Sequence, residues 1–340
     1  MSVSLKSLAE TLGLSKTTVS RALDGYEDVA EATRRRVQAA AEAAGYRPNA
    51  LARRLSRGAS ETVAVVVPAT SGRRYEPLFV ELAAAIGAQL ADDNLDLMLL
   101  TPRPGEPEVA VYERLWRARR ADGVVVVRTL VHDERVAFLQ QVGLPFVCFG
   151  RTEATQPYAF VDGDGEAAFA QATRRLITLG HRNLAFLAGP ERITAMHIRR
   201  AGFLAAAREA GVAHRVATGG FDEAAGEAMA AAELATPDPP TALVCATDRL
   251  ALGAMGAVRA AGLEPGRDIA VIGHDNLPFS AYTDPPLATM EVPLEAAGAA
   301  VATMLVRLIG GARPGDLSTI HQVVPHWRAS LGGPVTASGR

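Results

Sequence analysis

The chain has 340 residues, of which 49% are hydrophobic and 21% charged, with a formal net charge of −2. This length predicts two or three folding units with cores that need no disulfides, and the composition excludes disordered, collagen-like and disulfide-stapled proteins. The sequence contains no apolar run of about 18 residues and no basic-then-apolar leader, so we expect a cytoplasmic protein without a membrane span.

The first sixty residues predict a small, basic helical unit. They carry ten basic and six acidic side chains, whereas the rest of the chain has an excess of acids. Ser4 is a capping residue for a helix over 5–12, and Ser15 is one for a helix over 16–23. A third helix follows over 31–44. The order helix, tight turn, helix is typical of a helix-turn-helix that binds a polyanion, although a plain helical hairpin has the same spacing.

The second predicted helix has one apolar and one polar face. Val19, Ala22 and Leu23 are expected to be buried, and the opposite face carries Lys16, Thr17, Thr18, Ser20 and Arg21. Such side chains reach bases or phosphates in a major groove. A further helix near residue 48 would be too short to be stable alone, because helix nucleation is costly.

Three segments carry a specific resemblance: SKTTVSRAL at 15–23, GYRPN at 45–49 and ARRL at 52–55. In order and spacing they resemble the LacI/GalR family of bacterial transcription regulators. The resemblance implies a helix-turn-helix domain over 1–47 and a hinge helix with linker over 48–60. It assigns base reading to Lys16, Thr17 and Arg21, backbone contacts to Ser15, Thr18 and Asn49, and hinge contacts to Ala52, Arg53 and Leu55, with Leu55 wedged into the minor groove.

Two positions depart from the family pattern. Asp24 stands where the family usually has Asn, and its carboxylate would repel a phosphate. Ala30 stands where Ser or Thr usually caps the third helix. Both departures are expected to weaken contacts with the DNA backbone and to leave the sequence that is read unchanged.

From residue 62 onward, short apolar runs alternate with amphipathic helices, for example over 79–91 and 166–179. This pattern predicts parallel sheets covered on both faces, with ligands bound at the carboxyl ends of strands. Cys148 and Cys245 lie within such runs and are expected to be reduced core residues. The predicted strands are 63–67, 95–100, 123–127, 146–149, 159–161, 184–188, 242–246 and 269–272.

The family resemblance extends to about residue 330 and implies the α/β body of a two-lobed, periplasmic-binding-protein-like effector domain with two Rossmann-like subdomains. The domain would span 61–332, and residues 333–340 would form a disordered tail. The first lobe would hold 61–160 and 291–321, and the second lobe 161–290 and 322–332. The tail lacks the leucine heptad of tetrameric members, so a homodimer is expected.

The resemblance places a small-molecule effector between the lobes. Arg199 and Asp275 match positions that bind ligand hydroxyls, and Thr247 replaces the family's usual Asn. Asp248 is expected to cap a helix and anchor segments rather than to bind directly. Aromatic stacking or ordinary core packing are both open for Phe160 and Phe221. The remaining candidates, which border predicted loops at the cleft, are Arg151, Tyr75 and Phe79.

The sequence favours one interpretation of the function over its alternatives. The leading interpretation is a homodimeric repressor of carbohydrate genes that binds a palindromic operator and is released by a sugar, with regulators of α-glucoside use as the closest resemblance. A purine- or sugar-phosphate-responsive regulator and a sugar-binding protein without DNA binding are the alternatives. The sequence shows no nucleophile elbow, phosphate loop or zinc motif, so we expect no enzyme activity, cofactor or metal.

Overall fold

The computed structural model describes residues 4–23, 25–26, 28–46, 59–68, 77–103 and 105–334. The chain divides into two compact units, Met1–Ser60 and Glu61–Arg340. The described part of the first unit consists of α1 (Leu5–Leu12), α2 (Lys16–Leu23) and α3 (Glu31–Ala43). The three helices share one core, formed by Leu8, Ala9, Leu12, Val19, Ala22, Val29, Val37 and Ala41.

The ends of these helices follow the expected capping residues. Ser4 begins α1 through a capping box, and Gly13 ends it in the left-handed conformation at φ 63°. The Ser15 hydroxyl accepts a 3.0 Å hydrogen bond from the Thr18 N–H in the first turn of α2. Ala30 precedes α3, and no side-chain hydrogen bond caps this helix. The prediction that α3 lacks a side-chain cap at Ala30 is therefore confirmed.

The second unit contains two lobes, each built on a parallel sheet. The first-lobe sheet has the strand order β11-β5-β4-β3-β1-β2. Its strands are β1 (Thr62–Val66), β2 (Asp96–Leu100), β3 (Gly123–Val127), β4 (Phe146–Phe149), β5 (Ala159–Gly163) and β11 (Ser318–His321). Its helices are α4 (Pro77–Leu90), α5 (Glu108–Arg117), α6 (Glu134–Val142) and α11 (Leu294–Ile309).

Alternating side chains of the first-lobe strands build two separate cores. Val63 and Val65 pack with α4 and α11 on one face of the sheet. Ala64 and Val66 pack with α5 and α6 on the other. Because successive side chains of a strand point to opposite faces, a strand covered on both sides is apolar throughout.

The second-lobe sheet has the order β7-β6-β8-β9. Its strands are β6 (Asn183–Ala188), β7 (Ala213–Thr218), β8 (Ala242–Cys245) and β9 (Ala270–Ile272). Its helices are α7 (Gly165–Thr178), α8 (Thr194–Glu209), α9 (Glu223–Leu234) and α10 (Asp248–Ala260). Helix α7 packs against α8, and α9 packs against α10. An antiparallel pair, β10 (Thr289–Glu291) with β12 (Val324–His326), lies where the chain passes between the lobes.

The predicted fold class is confirmed, and all eight predicted strands are present. Strand β5 continues to Gly163, past the expected lobe boundary. Four strands were not predicted. β7 and β11 are edge strands in which polar residues interrupt the apolar ones, and β10 and β12 have three residues each. These four strands lack the continuous apolar run by which the buried strands were recognised.

Candidate functional site

The outward face of α2 presents the side chains expected to read DNA. Lys16, Thr17 and Arg21 are exposed. The hydroxyls of Ser15 and Thr18 are 2.8 Å apart, so they share a hydrogen bond at the start of the helix. Asn49, Ala52, Arg53 and Leu55 lie outside the described residues, as does Asp24.

Arg21 has two local partners. Its guanidinium is 2.6 Å from the Asp28 carboxylate, and it stacks over the Tyr26 ring at 5.0 Å from the ring centre. About half of each charged side chain is exposed to solvent. An ion pair this exposed contributes little stability, so Arg21 can exchange Asp28 for a base edge or a phosphate at low cost.

The second unit contains a cavity of about 100 Å³ between its two lobes, which we call the inner compartment. Phe79, Arg128 and Asp162 border it from the first lobe. Arg199, Phe221, Thr247, His274 and Asp275 border it from the second lobe. The structure therefore brings five of the sequence-predicted effector residues together, namely Phe79, Arg199, Phe221, Thr247 and Asp275. Tyr75 lies outside the described residues.

Arg199 and Asp275 face each other within this cavity. Arg199 Nη1 donates to the Ala246 carbonyl oxygen at 2.5 Å, and Nη2 lies 3.8 Å from Asp275 Oδ1. His274 Nδ1 is 2.8 Å from the same carboxylate oxygen. Burial lowers the pKa of His274 well below its usual value, so the imidazole is neutral and donates its Nδ1 proton to the carboxylate. The arrangement offers an arginine donor and an oriented carboxylate acceptor side by side.

The backbone at Asp275 is held in an unusual conformation. Asp275 has φ 118° and Asn276 has φ 50°, both positive. The Asp275 N–H donates to the Met290 carbonyl at 2.7 Å, and Asn276 Nδ2 donates to Glu291 at 2.9 Å. Strained backbone that neighbouring hydrogen bonds hold in place is concentrated at functional sites, where it fixes the direction of a side chain.

Asp248 anchors chain segments behind this cavity. Its carboxylate accepts hydrogen bonds from the Leu277 N–H at 2.8 Å, the Ser280 hydroxyl at 2.6 Å and the Thr289 hydroxyl at 2.5 Å. The expected anchoring role is present, but the expected helix cap is wrong. Thr247 is the capping residue of α10, and its hydroxyl accepts from the backbone of the first turn. Asp248 already belongs to the helix and does not border the inner compartment.

Two expected effector residues lie outside the cavity. Phe160 packs against Tyr158, with ring centres 5.7 Å apart, in the core on the α5 and α6 side of the sheet. Arg151 Nε donates to Asp162 Oδ2 at 2.7 Å, and it is Asp162 that borders the cavity. Burial raises the pKa of Asp162 even though Arg151 pairs with it. The expected direct roles of Phe160 and Arg151 thus have no support in this geometry.

Sequence reasoning missed Arg128. Its guanidinium lies 5.4 Å from the centre of the Phe79 ring and 5.6 Å from that of Phe221, which belong to different lobes. Arg128 has φ 49°, and its carbonyl accepts a 3.0 Å hydrogen bond from Arg135. A charged residue directly after the apolar strand β3, at its carboxyl end, was the signal that could have identified it.

The described part of the chain offers neither a metal site nor a membrane-spanning helix. Among those residues no cluster of three or more His, Cys, Asp or Glu side chains has an arrangement suited to a metal ion. None of the described helices combines the length and the apolar character that crossing a membrane requires. The cavity's hydrogen-bonding groups, aromatic walls and paired charges are those of a binding site for a polar small molecule.

Comparison with known proteins agrees with both halves of the architecture. Residues 4–49 match the model of bacterial regulatory proteins of the lacI family, and residues 173–331 match a periplasmic binding protein-like domain. The HTH-type transcriptional regulator AglR of Rhizobium meliloti (strain 1021) is 39% identical, covering 92% of this chain and 88% of its own.

Two solved structures resemble the whole chain. A complex of the transcriptional regulator CelR with cellobiose is 29% identical with a TM-score of 0.74, covering 96% of this chain and 99% of its own. A lac repressor dimer bound to operator and the anti-inducer ONPF shares the fold, at 24% identity and a TM-score of 0.82, covering 98% of this chain and all of that one. With its helix-turn-helix, its two-lobed body and these relatives, the chain belongs to the LacI family of bacterial transcriptional regulators.

Proposed function

We propose that this regulator is a sugar-responsive repressor of carbohydrate uptake or catabolism genes, and that it acts in the cytoplasm as a homodimer on a palindromic operator. The observation that carries the effector half is the Arg199–Asp275 pair in a cavity between two lobes. The exposed polar face of α2 carries the DNA half. The CelR complex holds cellobiose, and the lac repressor structure is a dimer on its operator.

In this proposal, Arg199 and Asp275 bind the sugar hydroxyls. Arginine donates from a fixed fork of N–H groups, and a carboxylate accepts, so the pair matches hydroxyl groups that both donate and accept. Phe79 and Phe221 supply the apolar walls against which a sugar ring packs. Thr247 adds one hydroxyl to the rim. Ser15, Lys16, Thr17, Thr18, Arg21, Asn49, Ala52, Arg53 and Leu55 contact the operator.

In this proposal the ligand acts by changing the arrangement of one lobe relative to the other. The backbones of the lobes meet at one side of the cleft, where the Val131 N–H donates to the Arg192 carbonyl at 2.9 Å and the Thr194 N–H donates to the Thr129 carbonyl at 3.1 Å. A sugar that contacts both lobes stabilises the lobe arrangement in which both sets of contacts form, relative to the arrangement that binds the operator. The population of the operator-bound state then falls, and the ratio of the sugar affinities of the two states sets the size of the fall.

The charges of the inner compartment favour a neutral sugar over a sugar phosphate. Two acidic residues, Asp162 and Asp275, border the cavity together with Arg128 and Arg199, so its formal charges balance and a phosphate there would face two carboxyl groups. No observation on the described residues favours a purine. The relatives are transcriptional regulators, which supports neither a sugar-binding protein without DNA binding nor an enzyme.

The direct test is selection of DNA followed by sugar release. The full-length protein selects binders from a randomised duplex of about 24 base pairs, long enough for two half-sites one helical turn apart. We expect a palindrome to be enriched, and a neutral sugar from a panel of glucosides and galactosides to lower its affinity by about tenfold or more. Enrichment of a palindrome that no sugar releases would contradict the proposed effector, and failure to enrich any sequence would contradict the proposed operator binding.

A further inference from the structure

A second, larger cavity continues the cleft outward from the inner compartment. This outer compartment has a volume of about 350 Å³, against about 100 Å³ for the inner one. Arg128, Ile193 and Phe221 border both cavities. The two compartments are therefore neighbours in the cleft between the lobes, and these three residues lie where they adjoin.

Arg128 marks the junction. Its guanidinium stacks on Phe79 of the first lobe and on Phe221 of the second lobe. Arg128 has a left-handed backbone conformation, with φ 49°, and its carbonyl oxygen accepts a hydrogen bond from the Arg135 guanidinium. The junction thus consists of a planar cation in contact with two aromatic rings from different lobes.

Three of the charged residues that border the outer compartment, Glu108, Arg135 and Arg249, take part in ion pairs. Arg135 is buried and lies 2.6 Å from Asp133 and 2.5 Å from Glu108. Arg249 donates to both oxygens of Glu223, at 2.9 and 2.8 Å. The remaining charged residues of the wall are two basic ones, Arg128 and Arg192, and two acidic ones, Glu134 and Asp222. Alternating donors and acceptors with little net charge suit a neutral polyhydroxyl group rather than an anion or a cation.

We propose that Arg128 separates two sugar subsites, so that the effector is a neutral disaccharide or longer oligosaccharide with one ring in each compartment. The inner ring is bound by Arg199 and Asp275, and the outer ring lies against the wall that contains Glu134 and Arg192. This inference rests on the proposed function, because it assumes that the cleft binds a sugar. It goes further in requiring two linked rings for full affinity.

The test is calorimetric titration of the full-length protein with sugars of one and two rings. The probes are glucose and galactose on one side, and maltose, trehalose, cellobiose and melibiose on the other. We expect at least one disaccharide to bind about tenfold or more tighter than either of its component monosaccharides. We expect Arg192→Gln to weaken binding of that disaccharide and to leave monosaccharide binding unchanged. Glu191→Gln alters an exposed neighbour that borders neither compartment, and it is expected to bind as the parent does.

The outcomes separate this inference from the function on which it rests. A monosaccharide that binds as tightly as every disaccharide would overturn the two-subsite proposal and keep the sugar-responsive repressor. Equal loss of mono- and disaccharide affinity in Arg192→Gln would also overturn it, because the outer wall would then serve the inner site. Absence of binding by every sugar, with operator binding retained, would overturn the proposed effector class itself.

Discussion

The guanidinium of Arg199 lies 3.8 Å from the carboxylate of Asp275, and both side chains are mostly buried in the cleft between the lobes. The two residues come from different elements of the second lobe, α8 and the loop after β9. Each is held by a further hydrogen bond, Arg199 to the Ala246 carbonyl and Asp275 to His274. The pair is therefore oriented before any ligand arrives, which lowers the entropic cost of binding.

Replacing Asp275 tests its proposed contact with the effector. Asp275→Asn removes the charged acceptor, so the affinity for the sugar should fall by about 1.5–3 kcal/mol, the range for hydrogen bonds to charged groups. Operator binding without sugar should be retained. Calorimetry and fluorescence anisotropy on labelled operator measure the two affinities. Asp316→Asn is the control, since Asp316 is exposed in a turn outside the cleft. Unchanged sugar affinity in Asp275→Asn would remove Asp275 from the site.

Arg21 is the residue of α2 best suited to a bidentate contact with guanine. Arg21→Ala should lose about 1–3 kcal/mol of discrimination at one base pair of each half-site. Asp28→Ala removes the competing carboxylate, so it should retain this discrimination and bind no more weakly than the parent. Affinities for operators changed at single base pairs measure both effects. An Arg21→Ala variant with undiminished base preference would show that Arg21 does not read the operator.

The missing cap of α3 predicts a stabilising substitution. Ala30→Ser places a hydroxyl where the first N–H groups of α3 receive no side-chain cap, and it should stabilise that helix by about 1 kcal/mol. Ser4→Ala, which removes an existing cap of α1, should destabilise α1 by a similar amount. Hydrogen exchange followed by mass spectrometry on the full-length protein reports each helix separately. Equal protection of α3 in Ala30→Ser and the parent would contradict the prediction.

Close packing of α9 against α10 depends on Gly253. A methyl group there would collide with the Glu223 carbonyl oxygen, which is backbone and cannot move aside cheaply. Gly253→Ala should therefore destabilise the second unit by about 3 kcal/mol. Gly256 lies in the same helix with open space at its Cβ position, so Gly256→Ala should stabilise by about 0.5–1 kcal/mol. Chemical denaturation of both variants measures this contrast, and a Gly253→Ala variant at least as stable as Gly256→Ala would refute it.

Asp248 predicts a pH dependence. Burial, and secondarily the neighbouring Asp275, raise the pKa of Asp248 to about 6 from an ordinary value near 3.8. Because the native carboxyl keeps its proton to higher pH than the unfolded chain does, its contribution to stability is fully present below pH 4. It is lost as the pH rises from about 4 to 6, by about 3 kcal/mol.

The measurement is the unfolding free energy between pH 4 and 7, compared with Asp248→Asn. The amide can accept from Leu277 and Ser280 through its oxygen and donate to Thr289 through its nitrogen. Without a titrating group at this position, the variant should show a smaller loss of stability over this range than the parent. Parallel pH profiles for the two proteins would refute the raised pKa.

Much of the architecture was predictable from the sequence because it depends on local patterns. Cap residues and apolar spacing identified α1, α2 and α3 within a residue at each end. Continuous apolar runs identified the buried strands, since those strands are covered on both faces. The family motifs then indicated Arg199 and Asp275, which lie near each other in the structure although they are far apart in the chain.

The composition of the cleft was decided only by the tertiary structure. Phe160 and Asp162 lie two residues apart on the same face of β5, but Phe160 packs in the core while Asp162, closer to the carboxyl end of the strand, borders the cavity. Arg151 pairs with that same Asp162 across two adjacent strands. Arg128 gains its place only because the fold brings Phe79 and Phe221 from different lobes within 5.4 and 5.6 Å of its guanidinium. Local sequence specifies helices and strands, whereas the meeting of distant side chains depends on strand order and on how the lobes pack.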